Sequence, residues 1–323
     1  MKVFVTGALG FIGKALSERY RKAGAEVIGV DRMADASLGV IAGDVVEPAH
    51  WSEHLRGCDL LFHTAAIVSN VASEADFWRV NVLGTQRLAT EAARRGVGRF
   101  IQLSSVAAFG FDFPDGIDES FPLRATGNHY VDTKIASEHI ILQAHGAGEL
   151  EATIIRPTDV YGPGSRPWTI LPVEMMRTGQ FLLPDKTRTI FSPVYIDNLL
   201  DGLEAAGSRR EAAGQVFILG DGIGVTTEEF FGHYARMLGR GPIRSLPAPL
   251  ATRLSGIAGS LLTALGRDTE IGSETMRMLS RRGTYSIDKA RRLLGYAPRI
   301  DLAAGMQKTE SWLLEKGLIP RRG

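Results

Sequence analysis

"VFVTGALGFIGKAL", residues 3–16, sets a β-branched and aromatic run directly before a glycine-punctuated turn and an amphipathic stretch. Gly7, Gly10 and Gly13 stand in a G-x-x-G-x-x-G spacing between the strand pattern and the helix pattern. Glycines at such a junction permit a tight turn. They also let backbone N–H groups, with Phe11 and Ile12 opening the helix beside them, approach a pyrophosphate at the positive helix end. With Lys2 ahead of it, the stretch superficially looks like a signal peptide. Its glycines break the apolar run, however, so it reads as the first strand and turn of a fold.

The same alternation continues downstream. "KVFVT" (2–6), "EVIGVD" (26–31), "LLFHTA" (60–65), "FIQLSS" (100–105) and "ATIIRP" (152–157) are nearly continuous hydrophobic runs, as expected for parallel strands covered on both faces. Helical patterns lie between them at 11–23, 74–95 and 130–145. The order predicts an α/β fold: a Rossmann-type doubly wound parallel sheet with a smaller, helix-rich C-terminal substrate lobe. Residues 1–165 form the expected NAD(P)-binding domain, with the segments at about 186–222, including the strand "GQVFILG" (214–220), returning to it. Residues 166–323 supply mainly the substrate lobe, where Pro and Gly become frequent and a helical tail follows.

Composition narrows the function classes. Hydrophobic residues make up 44% of the chain and charged residues 23%, and the net charge is +1. No excess of either sign points to nucleic acid. A single cysteine, Cys58, excludes an internal disulfide framework and makes a cytoplasmic setting the default. No stretch predicts a transmembrane segment. In "LPAPLATRLSGIAGSLLTALG" (246–266), Leu250, Leu254, Ile257, Leu261, Leu262 and Leu265 share one helical face. A buried lobe or lid helix is the expectation, with a membrane-surface or apolar-substrate role as the alternative.

Asp31 ends the second strand, where a carboxylate accepts hydrogen bonds from an adenosine ribose diol and repels a 2′-phosphate, so NAD is expected. Arg32 follows and is suited to NADP instead. Asp44, with Val45, lies at a further strand end, either at the adenine edge or as an exposed loop carboxylate. "HWSEH" (50–54) matches an H-x-x-E-H zinc pattern, but it falls on the outside of the fold without a third ligand, so no metal is expected.

Together these features resemble the extended short-chain dehydrogenase/reductase family, which contains the NAD-dependent epimerases and dehydratases. The match runs over nearly the whole chain: "TGALGFIG" (6–13), "HTAA" (63–66), "NVLGT" (81–85), "SSVAAFG" (104–110), "YVDTK" (130–134), "RPTDVYGPG" (156–164), "VYIDN" (194–198) and "YSIDKARRLLGYAP" (285–298). The resemblance implies catalysis by Ser105, Tyr130 and Lys134. It also implies further cofactor contacts from Val45, Ala65, Ala66, Asn81, Ser104, Pro157 and Thr158, with Tyr130 and Lys134 meeting the nicotinamide end. It implies a homodimer through the helices at about 74–95 and 130–145.

The residues support that chemistry directly. A tyrosine with a pKa near 10 is a poor base at neutral pH. A lysine ammonium one helical turn away, with a positive nicotinamide ring nearby, favours the phenolate. Ser105 can orient the substrate oxygen. For the substrate, Ser105, Val106, Asp159 and Arg188 are the candidate contacts. In the sugar-nucleotide branch an Asn occupies the place of Asp159, and an Arg the place of Ile190. A carboxylate repels a pyrophosphate and an isoleucine cannot clamp one. Arg188, two residues before Ile190, would share its face on a strand; a solvated loop charge is its other reading. An apolar ketone or alcohol, steroid-like or alkyl, is therefore the expected small-molecule substrate, as in the 3β-hydroxysteroid dehydrogenase branch. A nucleotide sugar is the alternative, and a non-enzymatic NAD(P)-binding sensor or assembly factor a second. Val106 and Ala107 stand where a dehydratase has Asp-Glu, which disfavours dehydration.

Overall fold

The computed structural model describes residues 1–69, 71–265 and 272–321. In chain order the strands are β1 (Lys2–Thr6), β2 (Glu26–Asp31), β3 (Val40–Ala42), β4 (Leu60–His63), β5 (Arg99–Leu103), β6 (Ala152–Pro157), β7 (Asp159–Tyr161), β8 (Leu182–Pro184), β9 (Ile190–Phe191), β10 (Pro193–Tyr195), β11 (Val216–Leu219), β12 (Val225–Thr226) and β13 (Arg244–Leu246). The helices in the first two-thirds of the chain are α1 (Phe11–Lys22), α2 (Glu74–Phe77), α3 (Thr85–Arg95), α4 (His129–Gly146), α5 (Leu171–Arg177) and α6 (Ile196–Ser208). The tail adds α7 (Thr227–Met237), α8 (Ala248–Ala264), α9 (Ser273–Leu279), α10 (Asp288–Leu294) and α11 (Leu302–Glu315).

Seven strands form one parallel sheet in the order β11-β6-β5-β4-β1-β2-β3. Its two faces are both dry. Val3, Val5, Phe62, Ile101 and Ile155 belong to the core on one side, with Leu16 of α1 and Leu199 and Leu203 of α6. Phe4, Leu61, Phe100 and Ile154 belong to the core on the other, with Leu88 of α3 and Ile141 of α4. Alternate residues of one strand thus enter opposite cores, which is why these strands read as unbroken apolar runs.

Outside the large sheet, three two-stranded pairs form, β10–β7, β12–β9 and β13–β8. An aromatic cluster of Phe191, Phe230, Phe231 and Tyr234, all buried and with Phe191 and Phe230 stacked at 3.9 Å, packs β9 against α7. β11 closes the sheet edge beside β6, and α10 packs on β11 and α6.

Two expectations change. The pattern at 74–95 is not one regular helix: a seven-residue π-helical stretch, Trp78–Gly84, separates α2 from α3. The apolar stripe of α8 is not buried: Leu250, Leu254, Ile257, Leu261 and Leu265 are all exposed, and the helix packs through Ala251, Ser255 and Gly259 instead. Periodicity marks an apolar face without saying what covers it. The last residue of that stretch, Gly266, lies outside the described residues. Among the described residues, no helix is long and apolar enough to cross a membrane.

Candidate active site

The strand order reverses between β1 and β4, and a parallel sheet offers its ligand crevice at that point, beyond the carboxyl ends of the strands. Here the crevice is lined by Gly7 after β1 and Ala65 and Ala66 after β4. Gly7 has a φ of +66°, and a Cβ there would stand 2.8 Å from the backbone of Ala65. A Cβ on Gly13 would stand 2.2 Å from the Gly7 carbonyl oxygen and 2.7 Å from Thr64 Oγ1. Gly10 donates its N–H to the Gly7 carbonyl at 3.0 Å and serves as the N-cap of α1. Only side-chain-free residues allow loop, helix and β4 to approach this closely, and the helix N-terminus is thereby aimed into the crevice. Phe11 and Ile12 flank it, half-buried.

Asp31 ends β2 beside this loop. One carboxylate oxygen accepts the Leu9 N–H at 3.0 Å and the other the Arg32 N–H at 2.7 Å. The same carboxylate that is offered to a ribose therefore also shapes the glycine turn. Arg32 is exposed. Asp44 accepts the Val46 N–H at 2.9 Å and lies 3.5 Å from Arg79, while Val45 is buried. Pro157 and Thr158 leave the end of β6, and the Thr158 hydroxyl is buried with no partner among the described residues. A glycine cradle, a carboxylate at the end of β2 and an orphaned hydroxyl at a strand end fit a dinucleotide.

Asn128 caps α4 by accepting the Val131 N–H, and Asp132 accepts the N–H groups of Thr126 and Gly127 ahead of it. The cap fixes where the helix starts and hence which face Tyr130 and Lys134 present. Lys134 Nζ lies 5.7 Å from the centre of the Tyr130 ring and donates to the Leu103 carbonyl at 2.8 Å. Ser105 follows the end of β5, and its Oγ accepts the Ala107 N–H at 3.1 Å at the head of a short turn containing Val106. Burial pushes the Tyr130 phenol above its ordinary pKa, and a hydrogen bond with Ser105 opposes the rise. In the protein alone the phenol therefore moves opposite to the lowering expected beside a lysine. Burial pushes Lys134 down to about 8, against the charge of Glu138.

Glu138 was not visible as a participant from the motifs. It lies one turn beyond Lys134 on the same face, fully buried. Arg156 donates to it twice, at 2.9 and 2.7 Å, and Ser104 donates a further hydrogen bond. The Arg156 guanidinium also sits 4.7 Å from the centre of the Phe109 ring. The four-residue spacing from Lys134 was the available signal. Asn81, inside the π-helical stretch, accepts the Ile67 N–H at 2.8 Å and donates to the Ile67 carbonyl and the Thr133 hydroxyl. It braces the loop after β4 against α4. His63 lies between the hydroxyls of Thr6 and Thr85, at 2.7 and 3.0 Å, and burial lowers its pKa to about 3, so the ring is neutral.

Two substrate-side expectations need correction. Asp159 is not a free carboxylate: it is buried, paired with Arg281 at 2.6 Å, and accepts the Ser192 N–H. Its charge is cancelled inside the protein and no longer repels an incoming phosphate. Arg188 does not share a strand face with Ile190, because β9 begins only at Ile190 and Arg188 is exposed in the preceding turn. His50 and His54 fall on separate short turns, and among the described residues no cluster of metal-ligating side chains occurs.

The model of the NAD-dependent epimerase/dehydratase family matches residues 3–220. A ketoreductase of Stigmatella aurantiaca acting on 4-hydroxy-2-methyl-3-oxo-4-farnesyl-3,4-dihydroquinoline-1-oxide is 30% identical, with both chains covered in full. A 3-beta-hydroxysteroid dehydrogenase of Mycolicibacterium neoaurum is 28% identical over 92% of this chain and 87% of its own. Among solved structures, MoeE5 in complex with UDP-glucuronic acid and NAD is 25% identical with a TM-score of 0.78, covering 98% of this chain and all of MoeE5.

Proposed function

The chain belongs to the NAD-dependent epimerase/dehydratase family, and from that premise we propose that it interconverts a ketone and a secondary alcohol on an apolar substrate, steroid-like or an alkyl ketone. The observation that carries the reading is the meeting of Tyr130, Lys134 and Ser105 at the carboxyl edge of β5, beside the crevice of the glycine loop. Gly7, Gly10 and Gly13 would hold the cofactor's diphosphate, and Asp31 its adenosine ribose. Bound NAD would supply the two-electron redox chemistry and, when oxidised, a positive charge.

Ser105 Oγ hydrogen-bonds the substrate oxygen and fixes its direction. Tyr130 Oη takes the hydroxyl proton in oxidation and returns it to the oxygen in reduction. Lys134, buried beside the Tyr130 ring, would hold the nicotinamide ribose and lend positive charge to the phenolate. Asn81 and Glu138 position these groups and do not touch the reacting atoms.

The apolar substrate is supported by the ketoreductase and steroid dehydrogenase relatives and by three positions of this chain: Ile190 carries no charge, while Arg156 and Arg281 are each engaged by a buried carboxylate. A nucleotide-sugar epimerase is the second reading, supported by the likeness to MoeE5. A homodimer through α2–α3 and α4 belongs to the same proposal, with Trp78 and Leu142 exposed on those segments. The test is a turnover and thermal-shift screen with NAD(H), apolar ketones, steroids and sugar nucleotides. Turnover of ketone or steroid supports the reading. A UDP- or TDP-sugar that raises the melting temperature more than any apolar ligand, and is turned over, overturns it.

A further inference from the structure

We propose that the outer face of α8 seats this protein on a lipid bilayer bearing anionic headgroups. Leu250, Leu254, Ile257, Leu261 and Leu265 are 45, 45, 51, 60 and 74% exposed. At 100° per residue they fall within about 80° of arc, so they form one stripe along the helix. Among the described residues, they are five of the twelve exposed large apolar side chains, and no other helix carries as many. Single exposed apolar residues are ordinary, whereas a continuous stripe on one helix marks a contact surface.

Charge chooses the occupant. Residues 240–265 contain Arg240, Arg244 and Arg253, all exposed, and no Asp or Glu. Arg253 borders the stripe, about 60° from Leu250. A two-fold contact with a second copy would bring this cationic patch against itself with no carboxylate in the segment to answer it. Anionic headgroups answer it, and acyl chains accept the leucines. An open groove of about 510 Å³, lined by Phe181, Leu182, Arg244 and Leu246, runs beside the start of the helix and extends the same mixture of apolar and cationic surface. With 17 residues interrupted by Gly256 and Gly259, α8 lies in the interface and does not span it.

The helix is also well placed. It packs against α9, and Glu274 of α9 accepts a hydrogen bond at 3.0 Å from Asn128, the cap of the helix that carries Tyr130. A bilayer touching α8 is therefore linked through α9 to the helix of Tyr130. Delivery of an apolar substrate along that route rests on the apolar-substrate reading, whereas docking itself does not, and vesicle binding is measured without turnover.

The full chain is sedimented with phosphatidylcholine vesicles, with and without phosphatidylglycerol, at low and raised salt. Binding should require phosphatidylglycerol, weaken with salt, and fall at least about tenfold in Leu254→Glu/Ile257→Glu. Arg253→Ala should weaken it about fivefold without removing any apolar contact. Both variants change exposed side chains, so their circular dichroism melting should match that of the parent. Failure of the parent to bind, or binding undiminished in folded variants, overturns the proposal. So does a dimer that Leu254→Glu/Ile257→Glu dissociates in a chain that ignores vesicles, because the stripe is then covered by a second copy.

Discussion

Replacing Glu138 by Gln removes one negative charge from a site that water does not reach. Glu138 is completely buried, and two Arg156 nitrogens donate to it at 2.7 and 2.9 Å. At such a separation the attraction is about 6 kcal/mol for an effective dielectric of 20. Gln keeps the shape but leaves the guanidinium buried without a counter-charge, and breaking such a pair from one side typically costs about 3–5 kcal/mol. In a chain of this size that corresponds to a fall in melting temperature of about 4–7 °C. Thermal unfolding followed by circular dichroism, without cofactor, measures it. Glu138→Leu/Arg156→Met, which removes both charges, should recover most of the loss. The charge of Glu138 also raises the pKa of Lys134 against burial, so in Glu138→Gln the lysine should titrate below about 8. The corresponding limb of the pH–turnover profile should then move to lower pH. A melting point within about 2 °C of the parent would show that the pair is not energetically coupled as its geometry demands.

Three further outcomes follow from the site and its surroundings. Tyr130→Phe should lower turnover by about a hundredfold to ten-thousandfold while NAD affinity, measured by fluorescence titration, stays unchanged; retained turnover removes Tyr130 from the mechanism. Gly13→Ala places a methyl 2.2 Å from the Gly7 carbonyl oxygen and should cost about 1–3 kcal/mol together with most NAD binding. Gly146→Ala, on α4 in open space, should be neutral or stabilising by up to about 1 kcal/mol, and equal losses at both sites would contradict the cradle. Burial raises the pKa of Asp221 from 3.8 to about 7, so the native state holds its proton over that range. Its stabilising contribution is fully present below pH 3.8 and is lost as pH rises through 7. His63, lowered from 6.5 to about 3, contributes in the opposite direction. Because that contribution is common to parent and Asp221→Asn, the difference between their melting-temperature profiles isolates Asp221. Parallel profiles across this range would refute the assignment.

What could be read from the chain was local. The apolar runs at 2–6, 26–31 and 152–157 became strands with those bounds, because a strand buried on both faces announces itself residue by residue. The glycine spacing located the tight approach of loop, helix and β4, since a missing side chain is a property of the residue alone. Tyr130 and Lys134 were legible as a pair because four residues on a helix always share a face. The π-helical stretch around Asn81 was not, since its i→i+5 turns leave no distinct apolar period.

Tertiary structure decided everything that depends on a distant partner. Asp159 and Arg281 are 122 residues apart in the chain, and only folding turns a carboxylate that by itself repels phosphate into half of a buried ion pair. Arg156 and Glu138, and His63 between two threonines, are of the same kind. The α8 stripe shows the division most plainly. The sequence determines that one face of that helix is apolar, because periodicity is intrinsic to the helix. Only packing decides which face is covered, and here it covers Ala251, Ser255 and Gly259 and leaves the leucines outside.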